Sequence, residues 1–160
     1  MTRFNVSLPL LALVLASAGS ASATAVGNPV VPAAVQARIA HQAPGLAYVP
    51  TRVALGFHYR NWQKTPSTVR IAFENRAGSE ITFISSRLTG ACRAGVEKSF
   101  QLDGNKVYWS HTGVEQRAWR CVSGRDGRRV RLVASSRLPP TRFAAVGLGR
   151  VVASGKPVAV

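Results

Sequence analysis

The sequence predicts an α+β fold. An antiparallel meander of six or seven strands is expected to form a curved sheet or half-barrel, with a C-terminal helix packed on one face. Two observations lead to this prediction. From Phe57 onward, apolar and polar residues alternate with the period of two that is typical of half-buried strands. Near the C-terminus, residues 143–152 change to a helical spacing after Pro139-Pro140-Thr141, where Thr141 is a suitable N-cap.

The clearest strands form a hairpin over residues 68–74 and 80–85. Residues 75–78, Asn-Arg-Ala-Gly, have the composition of a turn between them. Alternating apolar residues on the two strands are Val69, Ile71, Phe73, Ile81 and Phe83. Further strands are predicted over residues 57–62, 99–102, 106–110, 116–122 and 129–134. One sheet face should therefore be apolar and covered by the helix, and the other should carry arginines and be partly wet.

The N-terminus has the three parts of a secretory signal peptide. Arg3 provides a positive start, an apolar stretch follows to Ala18, and small residues then lead to a cleavage site after Ala23 or Ala25. The extended start that Val26 would give the mature chain favours Ala25. The apolar run is too short to span a membrane, and no cysteine lies near the cut, so we expect a released, extracytoplasmic protein. The predicted organisation is a signal peptide over 1–25, a proline-punctuated lead-in over 26–45, one β-rich domain over 46–155 and a tail over 156–160. Within the lead-in, residues 33–42 have a short helical spacing.

The chain contains two cysteines, Cys92 and Cys121. In an oxidising compartment an even number of cysteines favours a disulfide. Closing a loop of about 30 residues stabilises the fold by about 3.5 kcal/mol in the chain-entropy description. Two cysteines without a CxxC or HxxxH pattern do not supply a zinc site.

The chain is strongly basic, with 21 Lys and Arg residues against six Asp and Glu and a formal net charge of +15. Such an excess attracts polyanions, including anionic envelope polymers and lipid headgroups. The alternative is compositional, because arginine, alanine, glycine and valine are all abundant in GC-rich coding. If the charge is functional, arginines on predicted strands should cluster on one face; the candidates are Arg70, Arg117, Arg120, Arg129 and Arg131. Arg129 and Arg131 should share one side of their strand, as alternation requires.

The order of these elements resembles a family of bacterial extracytoplasmic domains of unknown function. The resemblance covers residues 46–154 and rests on short segments: Val49-Pro50, Gly56-Phe57, the hairpin, residues 102–108, Trp119-Arg120 and Ala134-Ser135-Ser136. Members occur in secreted and anchored proteins and on the outer side of some anti-sigma-factor-like proteins. The resemblance implies a half-barrel sheet with a packed helix and no catalytic residues to carry over. Function inferred from such a shape is analogy.

Candidate catalytic residues are scarce. No two of the three histidines have metal-ligand spacing, no GxSxG is present, and neither glycine-rich segment opens a helix after a strand as a phosphate loop requires. A secreted ribonuclease would need a base and an acid in reach of one phosphate, and Glu74, Arg76 and His111 supply these residue types. Core packing is the usual role of the aromatic residues, although stacking on single-stranded nucleic acid also uses aromatics beside cations.

Three functions follow from these observations. The leading hypothesis is a secreted, non-catalytic binding or accessory domain at the bacterial cell envelope, with an unidentified ligand and protein partner. One alternative is a carrier-like pocket for a lipid or apolar ligand between sheet and helix. The other is a secreted basic polyanion hydrolase, resembling a ribonuclease. A cleft that joins Glu74 or Glu115 to His111 would favour it. No catalytic residue, metal, cofactor or specific nucleic-acid partner is expected.

The cysteine count makes a direct prediction. Thiol labelling of the exported, unreduced protein should detect no free cysteine, because Cys92 and Cys121 are joined. After reduction in denaturant, both should label. Quantitative labelling of both thiols in the native protein would contradict the disulfide.

Overall fold

The structure is a computed structural model that describes residues 29–137 and 142–159. The predicted signal peptide and the Pro139-Pro140-Thr141 helix entry lie outside the described residues. The described elements, in chain order, are α1 (Ala33–Gln42), a 3₁₀ turn (Pro44–Leu46), β1 (Tyr48–Pro50), β2 (His58–Lys64), β3 (Thr68–Glu74), β4 (Glu80–Arg87), β5 (Lys98–Leu102), β6 (Asn105–Thr112), β7 (Glu115–Ser123), β8 (Arg129–Ser136), α2 (Arg142–Ala153) and β9 (Gly155–Pro157).

Within the described residues, seven strands form one antiparallel sheet in the order β2-β3-β4-β8-β7-β6-β5. The sheet is not closed, and β2 and β5 are its edges. The α+β prediction is therefore confirmed, including a helix near the C-terminus. The predicted hairpin is also confirmed, with Ile71 opposite Phe83 in the register of β3 and β4.

The strand order differs from a meander that runs uninterrupted along the chain. β4 pairs with β8, with Phe83 opposite Ala134, and residues 88–97 carry the chain to the far edge at β5. The sheet thus consists of two meanders joined at its centre. Phe83, Leu132 and Ala134 are fully buried there, which gives a physical reason for the arrangement: it places the most apolar strand faces away from the edges.

Helix α2 covers one face, which we call the inner face. Its Leu148, Val151 and Val152 are buried in one core cluster with the apolar residues of β3, β4 and β8. Close packing explains the glycine at position 149, since a Cβ atom there would lie 2.6 Å from Cδ1 of Leu102 on β5. The helix therefore approaches β5 more closely than an alanine would allow without a shift of that side chain.

The segment set apart from the sequence as a lead-in packs against the same core. Helix α1 spans the predicted residues, and Val31, Val35 and Ile39 are buried in the main cluster. At the other end of the chain, β9 lies within the region described as domain end and tail and pairs with β1, and Val158 is buried. Both terminal segments of the described chain thus contribute to the core.

Arg120 on β7 joins the sheet to the end of α2. Its Nε donates to the carbonyl of Val152 at 3.1 Å, and Nη2 donates to the carbonyl of Gly155 at 2.6 Å. Nη1 donates to Oδ1 of Asn105. A cation at this position satisfies carbonyls at the helix C-terminus and interacts favourably with the helix dipole. Burial lowers the pKa of this guanidinium, with Tyr48 acting in the opposite sense, and arginine stays protonated at neutral pH.

We predict that Arg120→Met destabilises the protein by about 2–4 kcal/mol, because carbonyls near the end of α2 lose charged hydrogen-bond donors. Urea denaturation of the mature protein measures the change. The matched control is Arg70→Met, which removes an exposed ion pair and should cost less than about 1 kcal/mol. Equal losses in the two variants would contradict a structural role specific to Arg120.

Candidate polyanion-binding face

The second face of the sheet, called the outer face, carries four of the five arginines singled out from the sequence. Alternation along β3, β7 and β8 directs Arg70, Arg117, Arg129 and Arg131 to this side. The predicted shared side of Arg129 and Arg131 is present. Arg120 lies on the inner face instead, where it holds the end of α2. Successive side chains of a strand point to opposite faces of the sheet, so Arg117 and Arg120, three residues apart on β7, lie on different faces.

Three arginines pair with carboxylates in the half of the outer face near the β3–β4 turn. Nη2 of Arg70 lies 2.9 Å from Glu80 Oε1, and Nη2 of Arg117 lies 2.9 Å from Glu115 Oε2. Arg60 lies 3.5 Å from carboxylates of both Glu74 and Glu80. Three carboxylates thus face these three arginines, and Arg137 beside them has no carboxylate within 4.0 Å in the described residues. This half therefore offers a polyanion less net attraction than a surface of unpaired cations.

Hydrogen bonding keeps these carboxylates ionised. The Thr82 hydroxyl lowers the pKa of Glu80, and Arg70 and Arg60 add to this effect. The hydrogen bond from Arg117 lowers the pKa of Glu115, with burial opposing it. Neither carboxyl is held neutral for proton donation, which general acid catalysis at neutral pH would require.

A cleft of about 690 Å³ opens within this half of the outer face. Thr82, Ile84 and Ser135 are among its lining residues, as are Arg70, Arg137 and both Glu80 and Glu115. The ion pairs therefore lie within the cleft itself. A ligand here would have to compete with existing arginine–carboxylate bonds.

The other half of the outer face is basic. Its cations are Arg93, Lys106, Arg129 and Arg131, which we call the basic patch. In residues 29–137 and 142–159, none of the four has a carboxylate within 4.0 Å. Arg129 and Arg131 are two residues apart on one strand, so their backbones are about 7 Å apart along it.

Aromatic side chains lie under the patch. The Arg131 guanidinium lies 4.8 Å from the Trp119 ring centroid, and Lys106 Nζ lies 6.0 Å from that of Tyr108. Arg93 Nε donates to the Tyr108 hydroxyl at 3.3 Å. Cation–π contacts of this kind hold the charged groups on flat apolar rings without neutralising them. The pKa of Arg131 is lowered by burial and then by the neighbouring Arg117, and arginine stays protonated at neutral pH.

The disulfide holds the 88–97 connection over the outer face. The predicted bridge is confirmed, with the Cα atoms of Cys92 and Cys121 6.1 Å apart. Trp119 Nε1 donates to the carbonyl of Cys92 at 2.7 Å, which adds a second attachment. This geometry places Arg93, which belongs to no strand, beside Tyr108 on β6.

Arg93 and Lys106 were not among the arginines and lysines singled out from the sequence. Arg93 lies in a predicted loop, so strand alternation did not apply to it. One signal was available: Arg93 follows Cys92, and a bond to Cys121 brings it to the face of β7 that bears Cys121. Lys106 begins a predicted strand, where alternation places it on the side of Tyr108 but does not say which face of the sheet that side is.

The three candidate ribonuclease residues are not brought together. Glu74 lies on β3 and His111 on β6, with β4, β8 and β7 between them, a separation of about 19 Å at the usual strand spacing. His111 Nδ1 lies 2.9 Å from Glu97 Oε2, and its backbone N–H donates to Oε1, which lowers the pKa of Glu97. Glu115 points to the outer face and His111 to the inner face, so no cleft joins that pair either.

The interface between α2 and the sheet is filled. Leu148, Val151, Phe83 and Leu132 are all buried at this interface and belong to one cluster. In the described residues, no group of three or more His, Cys, Asp or Glu residues could hold a metal ion. No helix in residues 29–137 or 142–159 is long and apolar enough to cross a membrane.

Comparison with known proteins gives a loose likeness in shape. No family model matches the chain, and no curated protein matches it. A chain in the crystal structure of MucB in complex with MucA(peri) matches at 14% identity and a TM-score of 0.46, over 71% of this chain and 37% of that chain. A chain in the Pseudomonas aeruginosa MucA/MucB complex matches at 15% identity and the same TM-score, over 71% of this chain and 35% of that chain. This chain thus spans little more than a third of those chains, and nothing about its ligand or partner follows from the likeness.

Proposed function

We propose that the chain is a secreted, non-catalytic binding or accessory domain of the bacterial cell envelope that binds an anionic polymer through the basic patch. One observation carries the proposal: four cations from a loop and two strands lie on the sheet face opposite α2 and lack carboxylate partners among the described residues. Charge segregation of this kind concentrates positive potential in one place.

The distribution of charge over the outer face supports a binding role for the patch. Here Arg60, Arg70 and Arg117 face carboxylates, whereas Arg129 and Arg131, on the same sheet face, do not. The patch thus differs in local charge from the half of the face that holds these carboxylates, which supports a role for it in binding anions.

The geometry of the patch favours a polymer over lipid headgroups. Its cations are spaced along a strand and across to β6, so a chain with repeated negative charges could meet several of them. The two large apolar side chains that are most exposed in the described residues, Leu55 and Val114, lie outside the patch in or beside turns. Membrane attachment usually combines positive charge with inserted apolar groups, and the patch lacks such groups.

The two alternatives have less support. A lipid carrier needs space between sheet and helix, and buried side chains fill that interface. A hydrolase needs its acid and base in reach of one bond, and Glu74 and His111 are separated by three intervening strands. The hydrolase has a direct assay, which is RNA cleavage by the purified protein.

The binding prediction uses heparin as the probe polymer. The mature Arg93→Ala/Arg129→Ala variant should bind immobilised heparin about fivefold more weakly at 0.1 M NaCl, since each lost contact is worth about 0.5 kcal/mol. Wild-type binding should fall steeply toward 1 M NaCl, where screening shortens to about 3 Å. Anionic vesicles serve as a second arm and should bind more weakly than heparin.

The matched control is Arg38→Ala/Arg76→Ala, which removes the same charge from α1 and the β3–β4 turn, away from the patch. Its heparin affinity should change less than twofold. Equal losses in both double variants would show that net charge alone causes binding. Binding that is unchanged between 0.1 and 1 M NaCl would contradict an electrostatic mechanism.

The catalytic prediction is negative. Purified mature protein should not cleave RNA above a buffer control, because the candidate base and acid lie on distant strands and opposite faces. The assay should include Glu74→Gln and His111→Ala variants prepared identically. Cleavage that is present in the wild type and lost in both variants would overturn the proposal and favour a ribonuclease.

A further inference from the structure

A second basic site lies at one end of the sheet, apart from the basic patch. A cleft of about 560 Å³ opens where the 3₁₀ turn after α1 meets the β2–β3 turn, the end of β4 and the β7–β8 turn. The position is fixed by long-range hydrogen bonds. Ser85 Oγ donates to the carbonyl of Leu46 at 2.6 Å, and the Tyr48 hydroxyl donates to the carbonyl of Ser123 at 3.1 Å.

Three cations line this cleft, each from a different element: Lys64 from β2, Arg87 from β4 and Arg125 from the β7–β8 turn. In the described part of the chain, none of the three has a carboxylate within 4.0 Å. Lys64 Nζ makes one long contact, 3.4 Å, to the carbonyl of Gln42. Their donors therefore remain available to a ligand.

One carboxylate, Asp126, also lines the cleft. Its Oδ1 accepts the backbone N–H of Arg128 at 3.1 Å, and Oδ2 lies 3.9 Å from Arg128 Nε. The Asp126 side chain thus has a structural role in its turn. Counting only the lining residues, the cleft has an excess of two positive charges.

The remaining wall is largely apolar. Ala43, Pro44, Leu46 and Pro66 line it, and the two prolines limit its freedom to rearrange. A ligand that fills the cleft would therefore present a charged end to the cations and an apolar part to this wall. Binding pockets commonly combine an apolar lining with a few orienting polar groups.

We propose that this cleft binds a phosphate monoester that carries an apolar group. A phosphate monoester has a charge of about −1.5 to −2 at neutral pH, which matches the excess of the cleft. The guanidinium forks of Arg87 and Arg125 suit phosphate oxygens, and Lys64 supplies a point charge. The site is independent of the proposed polymer-binding function, because its residues lie at the sheet end and not in the basic patch.

The test distinguishes a free phosphate from a phosphate held on an amphiphile. Isotope-labelled mature protein is titrated with dihexanoyl phosphatidic acid, with inorganic phosphate and with dihexanoyl phosphatidylcholine, and amide shifts are followed by NMR. The phosphatidic acid should saturate shifts at the cleft, near Leu46 and Gly124. Inorganic phosphate should bind about tenfold more weakly because it cannot use the apolar wall, and the choline lipid, without net charge, should not saturate.

Variants locate the site. Arg87→Ala/Arg125→Ala should weaken phosphatidic acid binding at least about tenfold, and Arg87→Lys/Arg125→Lys should recover part of it. Asp126→Asn keeps the Oδ1 acceptor of the turn and removes the negative charge, so it should tighten binding about threefold. Arg93→Ala/Arg129→Ala should not change it, which separates failure here from failure of the heparin prediction. The amide spectrum of each variant verifies the fold.

Two results would overturn the proposal. In the first, phosphatidic acid binds the Arg87→Ala/Arg125→Ala variant as tightly as it binds the wild type, or its shifts map away from the cleft. In the second, inorganic phosphate binds as tightly as the phosphatidic acid, which removes the role assigned to the apolar wall.

Discussion

The pairing of β4 with β8 is the constraint on which the rest of the structure depends. Without it the chain would form two separate meanders, each with two unpaired edges and half of an apolar face. With it, Phe83 and Ala134 meet at the centre of a continuous inner face that α2 can cover. The connection over residues 88–97 must then reach the far edge, and in doing so it crosses the outer face where the disulfide holds it.

Because α2 covers the inner face of the sheet, the outer face is the one that can present charged side chains to a ligand. Arginines on that face stay outside the main core, and strand alternation alone places Arg129 and Arg131 there. The disulfide adds Arg93 from outside the sheet. Arg120 belongs to the same strand as Arg117 but faces inward and holds the end of α2. One residue type thus has a structural role on one face and an available charge on the other.

The positions of the six acids among many cations determine how the local charge varies across the surface. Glu74, Glu80 and Glu115 pair with three arginines in one half of the outer face, which leaves the basic patch as the more electropositive half. The cleft at the sheet end differs in chemistry, because apolar residues accompany its cations. An extended polar surface suits a polymer with repeated charges, whereas a confined, partly apolar cleft suits one small amphiphilic anion. The two sites therefore call for different probes.

The sequence by itself determined the local elements. The strand over Thr68–Glu74 and the helix over Ala33–Gln42 have the predicted bounds, because periodicity is a local property. With two cysteines, only one intramolecular pairing was available. Tertiary structure alone decided which strands are neighbours, since alternation says which residues share a face but not what lies beside them. It therefore also decided the separation of Glu74 from His111, the inward role of Arg120, and the cleft that Lys64, Arg87 and Arg125 reach from three distant parts of the chain.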